Sequence, residues 1–588
     1  MGGSYDPRDH EPRIAKSWEE AGCYRAPRFP DGRKFYNYDS GPFPNGPLHM
    51  GHVRTYVLGD IVARFRRAMG DSVLYSTEWD AFGIPIEIEA RKHGVSPRAH
   101  VERWIASMEV QMRRLGISYD WSSVRSTCDP AYYRWTQGLF LRWFEQGVIE
   151  RRLAAVPYCE HCDTSLSRMQ TERERCWRCA RPVELRRSWQ WFVKIAPRAE
   201  SLLAGLDRLS GWSPQVRRLV QALVDDRRAG IGRRDWMISR QRAWGAPIPI
   251  VHCAACGPVA VPEEQLPVVL PDDVDWSRGA KGLADHPDFR DIACPRCAGT
   301  AVRESATLDC FFDDVWCQLA GLCELDGPIR FDGPRVAAWM PVDRFHSGLD
   351  TVVYLHLHRF FTAELHDRGE LPFDEPILGH RGHEMVLAQG RKMSKHLGNA
   401  VSPAALIKRH GADAVRVAVI GAAAPLRAID WRDEMPERAA RWLGSVAELY
   451  RAFVCAAGEP AAPGDAPTRA GSALGAGGRR NIAAIASMLE ADRPQAALAE
   501  LEALFRRIER FARSRLGSGR LSSGDREILE RLLAAGAVPL SLFAPYLAEQ
   551  AWQWLGRAPF VVREPWPVLC GAGADADAHG DSPKNSGG

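Results

Sequence analysis

The stretch KFYNYDSGPFPNGPLHMGHVRTYVLGDIVARFRRAMG, Lys34 to Gly70, decides the fold. Its first five residues, KFYNY (34–38), are short, aromatic and extended in character. The Gly and Pro of Asp39 to Pro47 forbid a helix there. Beyond Leu48, the residues Val53, Tyr56, Val57, Ile61 and Phe65 recur at helical spacing. Arg64, Arg66 and Arg67 suit the C-terminal end of that helix dipole, and Gly70 suits its cap. The run SVLYST (72–77) reads as a second strand. Strand, Gly-rich loop, helix and strand make one right-handed βαβ unit, which implies a parallel sheet. The βα alternation returns over about 340–425, so the two stretches are expected to be halves of one α/β sheet split by insertions.

The whole chain has 588 residues, enough for roughly three or four domains. Hydrophobic residues at 45% and charged residues at 26% exclude a disordered or fibrous protein. Lys and Arg number 77 against 73 Asp and Glu, and a net +4 is by itself no nucleic-acid signature. No secretory signal and no membrane-length apolar run is legible, so a cytoplasmic protein without a membrane partner is expected. Eight of the 15 cysteines fall into four Cys-x-x-Cys pairs, the pattern of metal sites in a reducing compartment. Cys159, Cys162, Cys176 and Cys179 have the spacing of a closed Cys₄ zinc site, with His161 as an alternative ligand. Cys253, Cys256, Cys294 and Cys297 form a wider version. After Trp431 the chain reads as helical. Gly458 to Gly478 is expected to be a flexible loop, and the residues from Gly571 a disordered tail. Arg506, Arg507, Arg510, Arg513, Arg515 and Arg520 are either a solvated helix face or a phosphate-binding one.

Two constellations carry chemistry. His49 and His52 bracket Met50-Gly51 at a helix start, where imidazoles, backbone N–H groups and the positive helix end attract a polyphosphate; a metal pair or plain surface residues explain two histidines as well. Lys392 and Lys395 bracket Met393-Ser394 in a loop ending at Gly398, so both ammonium groups can reach one anion such as a leaving pyrophosphate. A solvated basic loop is the alternative.

Together, HMGH (49–52) and KMSKH (392–396) resemble the HIGH and KMSKS pair of class I aminoacyl-tRNA synthetases. The segments GHVRTYVLGDIVARFRRAMG (51–70), WDAFGIPIE (79–87), SRQRAWGAPIPI (239–250), VPEEQLPVVLP (261–271) and GADAVRV (411–417) narrow the resemblance to bacterial-type leucyl-tRNA synthetases, over roughly residues 10–570. It implies a Rossmann-type parallel sheet split by zinc-binding insertions and followed by an α-helical, anticodon-binding-like bundle. The implied divisions are 1–150 and 336–428 for the two catalytic halves, 151–234 for a zinc-binding connective insertion, 235–335 for a catalytic segment with a second zinc module, 429–570 for the bundle and 571–588 for the tail. His49, His52, Lys392 and Lys395 would act on ATP phosphates; Pro44, Asn45, Gly46, Gly51, Met385 and Val386 would complete the ATP site. Ser40, Gly41, Phe43 and Asp80 would hold the amino acid, with Asp80 on the α-ammonium. The implied reaction is attack of leucine's carboxylate on the α-phosphorus of ATP, assisted by Mg²⁺, with structural Zn²⁺ at two sites. The acceptor would be tRNA(Leu), and the enzyme a monomer.

Departures from the family qualify this. Only 39 residues separate Ile195 from Asp235, where leucyl enzymes carry their proofreading domain, so editing in cis is expected to be absent. No C-terminal tRNA-contacting domain is expected after Pro567, and only Leu387 to Gly390 lie between Val386 and Arg391. Ser40-Gly41 stands where leucyl enzymes have Met-Phe, which loosens the case for leucine itself. His396 replaces the last Ser of KMSKS. Transfer of the aminoacyl group to a small-molecule amine, as in synthetase-like enzymes of antibiotic biosynthesis, is one alternative. A non-catalytic tRNA-binding or regulatory paralogue is the other.

Overall fold

The computed structural model describes residues 5–166, 170–177, 179–225, 234–278, 280–393, 399–457, 466–515 and 521–569. The stretch that opened the sequence reading becomes strand β1 (Lys34–Asp39), helix α1 (Met50–Ala68) and strand β2 (Ser72–Ser76), with β1 and β2 parallel from Lys34↔Ser72 to Tyr38↔Ser76. Three further strands complete a five-stranded parallel sheet: β3 (Gly211–Trp212), β4 (Arg344–Gly348) and β5 (Gly379–His383). Their order is β3-β5-β4-β1-β2. Strand β1 pairs with β4 through Asn37↔Arg344 and Asp39↔His346, so residues far apart in sequence are neighbours. The two α/β stretches are indeed halves of one sheet.

Both faces of β1 and β2 are covered, as a parallel sheet requires. Alternation sends Phe35, Val73 and Tyr75 into one core with Val53, Val57 and Ile61 of α1. It sends Tyr36, Tyr38 and Leu74 into a second core with Tyr132, Trp135 and Leu139. The strand order reverses between β1 and β4, whose connections run to opposite sides. Ligands of open α/β sheets bind outside the strand C-termini at such a point. Asp60 of α1 anchors the sheet to the helices behind it: it meets Arg64 at 2.7 Å and Arg416 at 2.6 Å, all three side chains buried. Arg416 also donates to the carbonyls of Leu115, Leu542 and Phe543.

A long antiparallel ribbon, Ile149–Cys159 with Glu184–Val193, runs in register from Ile149↔Val193 to Tyr158↔Glu184 and carries the first cysteine cluster at its tip. The second cluster sits in a four-stranded antiparallel sheet built from Ile250–Cys253, Gly257–Ala260, Asp291–Ala293 and Thr300–Arg303. Residues 211–212, assigned from sequence to the zinc-binding insertion, belong instead to the edge of the catalytic sheet, where Gly211 pairs with Gly379. Of the short connection after Ile195, the described part forms Ala199–Gly205 and Pro214–Asp225 as helices, and 226–233 lie outside the described residues.

Helix α2 (Val352–Asp367) joins β4 to β5. The C-terminal part is helical: α3 (Glu434–Ala457), α4 (Arg469–Glu490), α5 (Pro494–Arg515), α6 (Ser523–Phe543) and α7 (Pro545–Trp554). The loop expected from Gly458 to Gly478 is corrected here, because 469–478 is the first half of α4. Thr468 caps that helix, its hydroxyl accepting from the amide of Gly471. The glycines of α4 serve packing: a Cβ at Gly478 would fall 2.3 Å from Leu532 Cδ2. Within the arginine run, Arg506 and Arg513 pair with Glu502 and Glu509 one turn back, at 3.2 and 2.6 Å, and Arg507 donates to Asn481. Arg520 and the tail from Gly571 lie outside the described residues. Among the described residues no helix is long and apolar enough to cross a membrane.

Candidate active site

At the C-terminal ends of β1 and β4 a cavity of about 580 Å³ opens, at the point the strand order designates. One wall is the start of α1. His49 is its N-cap: Nδ1 accepts from the amide of Gly51 at 3.1 Å, and the His49 amide in turn donates to Nδ1 of His52 at 3.2 Å. The two rings stack with centroids 3.9 Å apart. Because both Nδ1 atoms accept, the ring protons sit on Nε2. Gly51 has a definite reason to be glycine. A Cβ there would stand 2.8 Å from His49 Cε1, so the ring could not fold back over the helix start. The space beside Gly51 is taken by the His49 ring.

Opposite the histidines, Val386–Ala388 pairs antiparallel with Arg391–Lys392, turning at Gln389-Gly390, whose φ angles are +54° and +70°. Met385, Val386, Lys392 and Met393 line the cavity, together with Thr55, whose hydroxyl meets Nε2 of His383 at 2.7 Å. Lys395 lies outside the described residues. Ser40, Gly41, Phe43, His49, Gly51, His52 and Asp80 all line the same cavity. Pro44, Asn45 and Gly46 do not line it; they form the turn that precedes α1, with Gly46 at φ +141°.

The amino-acid end holds charge the sequence reading missed. Asp80 is buried, its Oδ1 has no hydrogen-bond partner, and burial beside Glu78 pushes its pKa up to about 8. Arg240 and Arg242 line the cavity, Arg240 paired with Asp309 at 2.5 Å and Arg242 donating to the Leu308 carbonyl while its Nε is unpartnered. Pairing of Ser239–Arg240 with Thr307–Leu308 brings these residues in from sequence positions far from either signature loop. Cys310, Phe311 and Tyr354 complete that end, and Trp177 and Gln170 of the first cysteine lobe also line the cavity. Asp80 and Arg242 thus bring a carboxyl and a guanidinium to one cavity, the two groups that match an α-amino acid's ammonium and carboxylate.

The cysteines converge as two sets of four, each with all sulfurs within 4.8 Å of one another. A tetrahedral ion with metal–sulfur bonds of about 2.3 Å sets sulfurs about 3.8 Å apart. Cys159–Cys179 at 3.5 Å, Cys162–Cys176 at 4.0 Å and Cys253–Cys297 at 3.6 Å fit that geometry. The amides of Cys256 and Ala255 hold the Cys253 thiol down to about 7, which favours the thiolate a metal needs. His161 is exposed and is not part of the first set. Four sulfurs would leave a bound ion no open coordination position, so each set suits a structural rather than a catalytic metal.

The family described as tRNA synthetases class I (I, L, M and V) matches residues 13–432. The chain belongs to that family. Among its relatives, the leucine–tRNA ligase of Nitratidesulfovibrio vulgaris is 30% identical over 96% of this chain and 91% of the relative, and that of Syntrophobacter fumaroxidans is 30% identical over 98% and 93%. The first alignment spans 770 positions against 588 residues here, so internal stretches of the relative have no counterpart. A solved ternary complex of the Agrobacterium radiobacter K84 agnB2 LeuRS with tRNA and LeuAMS superposes with a TM-score of 0.85 at 26% identity, over 96% of this chain and 90% of that one. Mycobacterium tuberculosis methionyl-tRNA synthetase shares the fold, with a TM-score of 0.68 at 19% identity over 90% of this chain and 95% of that one. Within class I, the chain is thus an enzyme of the leucine–tRNA ligase type.

Proposed function

We propose that this enzyme joins the carboxylate of an amino acid, leucine being the first candidate from its relatives, to the α-phosphate of ATP and passes the aminoacyl group to an acceptor. What carries the reading is the gathering of His49, His52, Lys392 and Asp80 around one cavity at the strand-order reversal. The histidine Nε2–H groups and the α1 N-terminus face the phosphates, and Lys392, with Lys395, holds the leaving pyrophosphate. Asp80 takes the α-ammonium and Arg242 the carboxylate. No protein nucleophile is required, because the step is positioning and charge stabilisation around an in-line attack. Mg²⁺ would neutralise phosphate charge during the transfer.

We assign the acceptor to tRNA(Leu) on the strength of the helical region after Glu434. The short Ile195–Asp235 connection supports transfer without proofreading. The arginine face of α5 lends the tRNA assignment less support, since Arg506 and Arg513 are engaged by neighbouring glutamates. A small-molecule amine is the second reading. Radiolabelled leucine and ATP, incubated with and without tRNA, separate them. Label in acid-precipitable tRNA supports the first, tRNA-independent product with an added amine supports the second, and no ATP-dependent activation refutes both.

A further inference from the structure

Two residues beyond His52, helix α1 buries an arginine. Arg54 donates five hydrogen bonds, all of them to main-chain carbonyls. Nη1 reaches Glu384 at 2.8 Å and Met385 at 3.4 Å, while Nη2 reaches Ala424, Pro425 and Arg427 at 2.9, 3.1 and 2.8 Å. These carbonyls stand just before Val386–Ala388 and Ile429–Trp431, two strands that pair in parallel. One guanidinium therefore closes the entry of both. The entries are also tied to each other, the Glu384 amide donating to Pro425 and the Ile429 amide to Met385. Beyond Ala388 the chain turns at Gln389-Gly390 into Arg391–Lys392, and Asp430 Oδ1 accepts from the Gly390 amide at 2.9 Å. The next residue of α1 adds to the grip. The Thr55 hydroxyl meets Nε2 of His383, whose Nδ1 lies 3.1 Å from the Glu384 carbonyl.

Arg64 and Arg416, buried behind the same sheet, share the Asp60 carboxylate. Arg54 has carbonyl dipoles in place of a counter-charge, and burial pushes its pKa down to about 10. A planar fork can serve acceptors on two segments at once, which the single nitrogen of an ammonium cannot. What this fork fixes is a distance. His49 and His52 stand at the start of its own helix, and Lys392 stands across the cavity at the end of the hairpin it anchors. We propose that Arg54 is a positioning residue of the adenylation step, setting the span between the α1 histidines and Lys392 so that both reach the phosphates of one ATP. The inference rests on the adenylation reading and deepens it. Arg54 does not line the cavity, so it acts through the hairpin. Asp80 and Arg242, at the amino-acid end, come from other segments and are not held by it. A reacting group misplaced by about 1 Å costs about 10²-fold in rate.

The test is leucine-dependent pyrophosphate exchange by Arg54→Lys, which keeps the charge on one nitrogen, and Arg54→Gln, which keeps a short fork without charge. Each folded variant should lose at least tenfold in kcat, with KM for leucine within threefold of the parent. On a Lys392→Ala background the loss caused by Arg54→Lys should shrink to threefold or less, because the group whose place it sets is gone. A purely structural role would produce the same loss on both backgrounds. That result overturns the inference, as does a kcat within threefold of the parent or a KM for leucine that rises as kcat falls. Failure of both variants to fold would likewise overturn it, making Arg54 a strut of the fold alone. No exchange by the parent enzyme would remove the adenylation reading itself.

Discussion

Replacing His49 with Asn separates two jobs that one ring performs. Its Nδ1 caps α1 by accepting from Gly51, and the ring lines the cavity, where the proposed reaction uses its Nε2 proton. An Asn carbonyl stands near the place of Nδ1, and Asn is among the best N-cap residues, so His49→Asn keeps the cap. It has no donor where Nε2 was. Removing one preorganised donor from developing negative charge costs roughly 10²- to 10³-fold in kcat, about 2.7–4 kcal/mol. His49→Gln does the reverse: its amide reaches near Nε2 but leaves the Gly51 amide without its acceptor, at about 1 kcal/mol. For a domain of 150–250 residues that amounts to about 2–4 °C in thermal midpoint. Pyrophosphate exchange and thermal unfolding, run on the same preparations, read the two jobs apart. The Asn variant should lose at least a hundredfold in exchange with its midpoint kept, and the Gln variant should lose less activity but more stability. Exchange by His49→Asn within threefold of the parent enzyme would refute the assignment of Nε2.

Elemental analysis of protein prepared without chelator should find two zinc ions per chain, and Cys176→Ser should lose one of them together with the fold of the ribbon tip, read by proteolysis near 159–184; a metal-free protein with an intact tip would contradict this. Arg416→Met strips Asp60 of one buried cation and should destabilise the chain by about 3–5 kcal/mol, seen as a lower unfolding midpoint, since an uncompensated buried charge is left behind. Glu11, which accepts from the amides of Ala412 and Asp413, is pushed up to about 8 by burial and the nearby Asp413 charge, against 4.5 unfolded. A raised carboxyl contributes stability that is full below pH 4.5 and lost as pH rises through about 8, so Glu11→Gln should flatten the fall in midpoint between about pH 5.5 and 8.5. Parallel curves for the two proteins would show that Glu11 does not carry the effect.

The sequence made some of this site legible because its signals are local. The βαβ unit declared itself in one stretch from Lys34 to Ser76, and Cys-x-x-Cys pairs have few other uses in a large chain. Arg240, Arg242, Asp309 and Tyr354 were invisible by the same logic. No periodicity marks them, and they meet only because Arg240 pairs with Thr307 across an intervening zinc module. Glu78 was equally hidden: beside Trp79-Asp80 it reads as an ordinary strand residue, and its hold on the Gly41 amide appears only once the two segments are laid together. The glycine-rich start of α4 misled for a physical reason. Composition alone does not distinguish glycine that loosens a chain from glycine that lets two helices touch, and Gly471 and Gly478 do the latter, against Asp525 and Leu532.

The ribbon from Ile149 to Val193 leaves the body and returns to it at paired residues. A stalk of that kind is topologically neutral: whatever length of chain hangs between its strands enters and exits at one point, and the order of the parallel sheet never registers it. Growth or loss of a module there changes reach, mass and the company the cavity keeps at its rim, where Trp177 arrives. The parallel sheet beneath keeps its order whatever the ribbon carries, because both of its strands leave and return at the one paired end, Ile149↔Val193.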